Sequence, residues 1–488
     1  MIPRVTIGIQ DGATGVVSPG PEGNLAIVAP SSTGNENEPT PSVDGKQAEA
    51  TFGRGPLPNL ADYVMRVGGH PTVLIRPQTS TAGDYGTFTV SSGGTAEPAE
   101  GATEPNDDYD VLVTFVAGTP VGGLGTAGAT YTWSLDGGRT KSAVTALGTA
   151  LNIVIPDTGI TIVLGTSTQT IPAGKTIAFE TTGPQATTTD LAVPLEALRR
   201  STLDWDAVLI HGDCDEAHVG LLDQWLTGLA NTGKHRWAIF NTRRWDRAGG
   251  ETPAQYIAAL SAIRSASAPS SRVIFCADGG EVLSGLTGIR QFRPTALAVA
   301  ARAMQKDIST EPAYVADGAV TGFSIKDGRG NPTAWDEAQT PGLDNQKFTT
   351  LRSFERRAGA YVTNTNVFSR EGSDFVFLPH LRTMNLACDT AWEVLTNCLS
   401  QGVGKNPKPG PNNARYISEE SASAIEALVQ ANLERVLKGR VDQVKFTLSR
   451  TDDISSNAGA RVTGRLQIVA FGYVKEFNIT ASFAKAVG

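Results

Sequence analysis

The chain has 488 residues, 40% hydrophobic and 7% aromatic, which is enough for about three domains of ordinary size and argues against global disorder. A net charge of -8 argues against a general nucleic-acid binder, which needs a basic face to neutralise phosphate. Four cysteines, at 214, 276, 388 and 398, are scattered without a CxxC spacing, so neither a disulfide framework nor a thiolate metal site is expected. No apolar run approaches the ~18 residues of a membrane span, and the opening MIPRVTIGIQDG has no signal-peptide core, which predicts no secretory export and reduced thiols.

Val5, Ile7 and Ile9 alternate with polar residues and run into an Asp11-Gly12 turn, so the chain opens on a short strand. Leu25 to Ala29 is an apolar run closed by Pro30. Leu60, Tyr63, Val64 and Val67 form a helical stripe that Gly68-Gly69 terminates, and Val73 to Ile75 is a further strand. Between residues 81 and 189 Gly, Thr and Ser dominate. Short strands are expected at Asp110–Ala117, Thr130–Leu135, Leu151–Ile155, Gly159–Leu164 and Lys175–Thr181, with Ala96 to Asp110 an acidic loop. This stretch reads as a small β-sandwich.

From Leu195 the period changes. Apolar β runs at Ala207–Ile210, Trp237–Phe240 and Val273–Cys276 alternate with three helices, implying a parallel sheet covered on both faces. The first helix carries Val219, Leu222 and Leu226. The second opens on a capping box at Thr252 to Gln255, and the third follows Pro294. After an Asp/Gly/Pro loop at Asp327 to Asn345, strands are expected at Gly359–Thr365 and Asp374–Leu378. A helix with Cys388, Ala391, Trp392, Leu395 and Cys398 on one face comes next, then a second helix capped by Ser418 with the stripe Ile425, Leu428, Val429, Leu433, Val436 and Leu437. Strands Val441–Ser449 and Arg461–Val469 lead to a last one, in which Phe477, Ile479, Ala481 and Phe483 alternate with Asn478, Thr480 and Ser482. By spacing, this last strand fits either its own domain's sheet or a neighbouring subunit's.

Signs of chemistry are sparse. Gly123 to Gly128 spells GxGxxG, but β-like sequence follows where a dinucleotide fold needs a helix. Ala173-Gly174-Lys175-Thr176 lacks the first glycine of a phosphate loop and reads as a hairpin turn. Ser134 to Thr140 resembles the Asp-box hairpin, a folding device. The densest polar cluster is His211, Cys214 and His218 with Asp213, Asp215 and Glu216, where a parallel strand ends and a helix begins. It could hold zinc or serve a hydrolase-like or metal-dependent enzyme; ordinary helix capping also accounts for its acids. Arg352, Arg356 and Arg357 form a basic cluster suited to a solvated helix face or a subunit contact. A further alternative is a β-domain adhesin or binding module centred on residues 81–189.

Several pieces, in order, resemble contractile tail sheath proteins. They are Asn24 to Pro30, Phe52-Gly53, the helix Leu60 to Val67 with Gly68-Gly69, and Val73 to Arg76. Further on are Gly359 to Val362 and Asp374 to Arg382, followed by two helices and a final strand pair. The resemblance implies an α/β and α+β multidomain fold, with a sheath-type core of α/β sandwich domains, an inserted all-β domain and extended terminal β-arms. The implied divisions are an N-terminal arm (1–22), the first part of the core (23–80), an outward-facing β-sandwich (81–190), an α/β domain (191–330), a C-terminal α+β domain (331–470) and a C-terminal arm (471–488).

It further implies a non-enzymatic subunit without cofactor, catalytic or metal residues, which polymerises in stacked rings around an inner tail tube protein and contracts to drive it through a bacterial envelope. Partners would be copies of itself, the tube, and baseplate and tail terminator proteins, with no nucleic acid and no membrane insertion. The location would be the virion tail, or an extracellular contractile particle, after assembly in the bacterial cytoplasm. Val5, Ile7, Ile9, Phe477, Ile479, Ala481 and Phe483 would be the inter-subunit strand arms.

Overall fold

The computed structural model describes residues 23–247, 249–326, 330–400, 402–406, 410, 414–454 and 461–476. Both expected arms, Val5 to Ile9 and Phe477 to Phe483, lie outside these residues. In chain order the first elements are β1 (Leu25–Val28), β2 (Thr40–Ser42), α1 (Gly45–Phe52), α2 (Pro56–Gly68) and β3 (Thr72–Ile75). Nine strands follow without a helix: β4 (Asp84–Tyr85), β5 (Thr89–Val90), β6 (Ala99–Glu100), β7 (Tyr109–Ala117), β8 (Thr130–Ser134), β9 (Thr145–Ala146), β10 (Asn152–Val154), β11 (Thr161–Val163) and β12 (Thr176–Thr182). Then come α3 (Thr188–Arg200), β13 (Ala207–Asp213), α4 (Glu216–Ala230), β14 (Trp237–Asn241), α5 (Pro253–Ala266), β15 (Val273–Cys276), β16 (Gly279–Leu283), β17 (Arg290–Pro294) and α6 (Thr295–Gln305). The last are β18 (Phe323–Ser324), β19 (Leu351–Phe354), β20 (Arg357–Val362), α7 (Leu378–Asn397), α8 (Glu419–Val436), β21 (Gln443–Leu448) and β22 (Gly464–Val469).

The described residues divide into two compact units, one ending at Leu381 and the other beginning at Arg382. The larger unit is built on a six-stranded sheet in the order β15-β14-β13-β1-β3-β2, parallel except for β2 at one edge. Strand β1 is wholly buried, and its side chains divide by parity as a pleat requires. Leu25 and Ile27 join one core with Leu60 and Val64 of α2 and the buried helix α6. Ala26 and Val28 join the other, with Leu195 of α3, Leu222 of α4 and Leu260 of α5. Strands buried on both faces read as continuous apolar runs, which is why these segments were legible in the sequence.

Local signals act as expected at several helix ends. Gly69 takes the left-handed conformation (φ 76°) and donates its N–H to the Met65 carbonyl, closing α2. Gly68 is needed for contact as well, since a Cβ there would sit 3.2 Å from the Ala301 carbonyl oxygen of α6. Thr252 and Gln255 form the capping box of α5, and Ser418 caps α8 by accepting from the Ser421 N–H.

The strands from β4 to β12 carry their own core, including Val111, Phe115, Ile153, Ile162 and Phe179, between a sheet organised around β12-β7-β8 and a three-stranded sheet β10-β11-β6. Here the expected acidic loop Ala96 to Asp110 needs correction. It contains β6, and Asp107 within it is completely buried. Its carboxylate takes two hydrogen bonds from Arg293 of β17, Nη1 to Oδ1 at 2.8 Å and Nη2 to Oδ2 at 2.6 Å. Gln291 Nε2 donates to the same carboxylate at 3.2 Å, and Asn59 Nδ2 of α2 at 3.4 Å. Arg139, in the turn after β8, makes a second two-pronged pair with Glu281 of β16. Two pairs therefore fasten the strand-only region to the hairpin β16–β17.

Other departures have local causes. Asp374 to Phe377 forms no strand beyond one bridge from Phe377 to Asn366, because α7 begins at Leu378 with Pro379 in its first turn. Trp392 of α7 is 47% exposed, while Leu386, Ala387, Ala391 and Val394 are buried, so the helix turns a different face inward than expected. The Asp/Gly/Pro loop is ordered over 331–345 by Glu337, whose Oε1 accepts from the N–H groups of Gly342, Leu343 and Asp344. Trp335, buried, donates its Nε1 to the other oxygen.

The smaller unit contains α8 packed beside the two-stranded antiparallel sheet β21–β22. On α8, Val429, Leu433 and Val436 are buried as expected, whereas Leu428 is exposed.

Removing one partner of a buried charge pair strands the other, at a typical cost of about 3–5 kcal/mol. Arg293→Met is therefore expected to lower stability by about that amount in urea denaturation, with the double change Arg293→Met and Asp107→Leu recovering a large part of the loss.

Candidate functional site

Two regions bear on function: the carboxyl end of the parallel sheet and the β21–β22 sheet. At the first, β1 and β13 are neighbours, and the chain runs on from β1 towards β3 on one side and from β13 towards β14 on the other. Open α/β folds bind ligands at such a switch point. His211, Gly212 and Asp213 end β13, with an irregularity between Ile210 and Asp213 where Gly212 has φ 137°.

Two members of the expected polar cluster, Asp215 and His218, have structural duties. Asp215 caps α4, its Oδ1 accepting from the N–H groups of Ala217 (3.0 Å) and His218 (3.3 Å). His218 completes the capping box, with Nδ1 2.7 Å from that oxygen. Burial pushes the Asp215 carboxyl up, but hydrogen bonds from His218 and the helix N–H groups hold it below its usual range. Cys214 is buried, and burial together with Asp213 and Asp215 pushes its thiol well up, away from the thiolate that a metal or a nucleophilic role requires. Burial and the Arg293 guanidinium push the His211 imidazole down from 6.5 to about 4. Its Nδ1 is shielded from solvent and makes no hydrogen bond among the described residues. Among those residues no group of three or more His, Cys, Asp or Glu is placed to hold a metal ion. Of the acids, Asp215 is the one whose geometry is that of a helix cap.

The remaining motifs resolve similarly. Gly123 to Gly128 is a loop entering strand β8, not a helix. Ala173-Gly174 is a turn entering β12, and Lys175 is buried with Nζ donating to the Gly93 carbonyl at 2.7 Å. The Asp-box-like turn after β8 is held by its own side chains. Asp136 accepts from the Thr140 N–H and hydroxyl, and Ser134 Oγ accepts from the Gly138 N–H. Arg352 and Arg357 lie on the hairpin β19–β20 with Arg356 at its turn, correcting the helix-face expectation. Arg352 stacks over Phe354, 4.3 Å from the ring centroid.

The second region has a different character. Ser449 N–H donates to the Thr463 carbonyl at 2.7 Å, so by antiparallel alternation the backbone groups of Val444, Phe446 and Leu448 point away from β22. No further strand pairs with them among the described residues. A groove of about 960 Å³ lies between α8 and this sheet, lined by Glu426, Gln430 and Glu434 of α8, by residues 437–439 and 441–447, and by Gln467 and Val469 of β22. Two α8 side chains cross to the strand edge. Gln430 Nε2 donates to the Val444 carbonyl at 2.8 Å while its Oε1 accepts from the Phe446 N–H at 2.9 Å. Glu426 Oε1 accepts from the Leu448 N–H at 2.5 Å. Arg450 holds Glu426 through both oxygens (2.7 and 2.9 Å) and Glu419 as well. Sequence reasoning passed over these residues. The available signal was the polar row Glu426, Gln430 and Glu434, spaced by four along an otherwise amphipathic helix.

This fold has counterparts among solved structures. A chain of the PVC sheath complex, an extracellular contractile injection system in its contracted state, is 11% identical with a TM-score of 0.50, the match covering 100% of this chain and 98% of that one. A chain of the anti-feeding prophage baseplate in its contracted state is 12% identical at 0.50, covering 99% and 97%. A sheath tail protein of Desulfitobacterium hafniense is 12% identical, with a TM-score of 0.48 and coverage of 96% and 100%. The fold is thus one shared with chains of contractile injection systems, as the sequence resemblance implied. By sequence, the chain belongs to the DUF2586 family, whose N-terminal domain model matches residues 2–366. No curated protein matches it.

The His211 site carries a pH dependence with a definite sign. The unfolded imidazole takes up a proton near 6.5 and the folded one only near 4, so this group makes stability fall as pH drops from 6.5 to about 4. Asp108, raised to about 6 by burial and by Asp107, works in the opposite direction as pH rises from 3.8 to about 6. His211→Gln is therefore expected to gain stability relative to the parent as pH is lowered from about 6.5 towards 4, with no change in their difference above pH 7; urea midpoints across the series measure it.

Proposed function

We propose that this protein is the structural subunit of a contractile tail sheath. Subunits stack in rings around an inner tube and contract to drive it through a bacterial envelope. The observation that carries this reading is the end-to-end fold likeness to the PVC sheath chain. Under it, the inner tube protein, a baseplate and a tail terminator are the other partners, and the location is a virion tail or an extracellular contractile particle assembled in a bacterial cytoplasm.

The connecting elements are the chain ends. Val5, Ile7 and Ile9 at one end, and Phe477, Ile479, Ala481 and Phe483 at the other, have the period of a half-buried strand. They add to β21–β22 sheets of neighbouring subunits. A two-stranded sheet is marginal by itself, so added strands stabilise acceptor and donor together. Backbone hydrogen bonds then preserve connectivity while side-chain interfaces rearrange during contraction, and no bond-making chemistry is required. Residues 81–190 form an inserted, outward-facing β domain, and residues 191–330 and 331–470 supply the α/β and α+β parts of the core. Fastening of the strand-only region to β16–β17 supports its moving with the core as one body.

Deletion of residues 1–10, or of residues 477–488, is expected to leave a folded subunit unable to form tubes. Circular dichroism reports the fold, and negative-stain microscopy with sedimentation reports assembly. Normal tubes from both truncated chains would overturn the proposal.

A further inference from the structure

We infer that Gln430 and Glu426 are placeholders that occupy the β21 edge until a strand from a second copy, residues 477–483, displaces them. This inference rests on the strand-addition reading and concerns its regulation. An exposed strand edge invites indiscriminate pairing, and proteins block such edges. Here the block is hydrogen-bonded in the manner of a strand. The Gln430 carboxamide donates to the Val444 carbonyl and accepts from the Phe446 N–H, the two bonds that an incoming backbone would make at the same place. Glu426 accepts from the next outward-facing N–H, that of Leu448. Three backbone groups of a six-residue strand are thereby satisfied by side chains of a helix.

The occupant follows from what lies beside the edge. Five consecutive β21 residues, Gln443 to Thr447, line the groove, a run of about 16 Å at ~3.3 Å per residue. It offers apolar atoms from Ala427, Leu437, Val441 and Val469 among its polar lining. Twelve residues follow Glu476, and four of them, Phe477, Ile479, Ala481 and Phe483, present apolar side chains on one face when extended. A strand entering the groove replaces the side-chain hydrogen bonds one for one and adds the burial of its apolar face. The exchange therefore proceeds only for a segment that brings such a face. Arg450, which also pairs with Glu419, holds Glu426 in its blocking position. The edge is thus closed to casual pairing and open to its own terminal strand.

The test uses the full chain carrying Gln430→Met, which keeps the length of the side chain and removes its donor and acceptor. A fluorescently labelled peptide of residues 474–488 is titrated against monomeric parent and variant, and polymerisation is followed by light scattering. The variant is expected to bind the peptide about tenfold more tightly and to polymerise at a correspondingly lower concentration, as loss of two competing neutral hydrogen bonds would give. Glu426→Gln, which keeps an acceptor for Leu448 but weakens the tie to Arg450, is expected to shift in the same direction by a smaller factor. It decides the matter should Gln430→Met prove poorly folded. Unchanged or weaker peptide binding in the variants, while parental tubes still require residues 477–488, would overturn the placeholder role and leave strand addition standing. Parental tubes that form without residues 477–488 would remove strand addition itself. Tighter binding of a residue 1–12 peptide, with no change for 474–488, would overturn the choice of occupant.

Discussion

The buried pair between Asp107 and Arg293 is the constraint on which the larger unit turns. Two fully buried charges persist only when each satisfies the other and the remaining hydrogen-bonding capacity is also used. Gln291 and Asn59 supply that remainder, so four residues from three parts of the chain must meet at one point. Through them the strand-only region, the β16–β17 hairpin and helix α2 take fixed positions. The same guanidinium helps keep His211 uncharged.

The β21–β22 sheet presents the complementary problem. A large sheet satisfies most of its backbone groups strand to strand and buries its side chains under helices on both faces, whereas a pair of strands has two edges and little core. Helix α8 answers this at the β21 edge with side chains instead of a third strand. Hydrogen bonds from a glutamine and a glutamate satisfy the edge but bury little apolar surface with it. A strand bearing phenylalanines gains more by pairing there, and this difference in burial gives assembly its direction under the proposed function.

Much of the larger unit was legible because its signals are local. Leu25 to Val28, Ala207 to Ile210, Trp237 to Phe240 and Val273 to Cys276 read as strands since burial on both faces permits only apolar residues. Gly69, Thr252 and Ser418 mark helix ends through hydrogen bonds made within a few residues. Where neighbours in space override neighbours in sequence, the reading failed. Asp107 belongs to an acidic, polar stretch, yet it is buried because Arg293 lies 186 residues further along the chain. Trp392 fits an apolar helical stripe and is exposed.

The sequence by itself determined the alternation of strand and helix, the strand-only stretch between residues 81 and 189, and the alternating pattern at the two chain ends, since all of these follow from periodicity and turn chemistry. It also carried the ordered motifs of the family resemblance. Only the tertiary structure decided that Asp215 and His218 cap α4 and Cys214 is buried, that Asp107 and Arg293 form a pair, and that Gln430 and Glu426 cover the β21 edge. The physical reason is common to all three. A polar side chain takes its role from the charge, burial and open backbone groups around it, and those are set by residues remote in sequence.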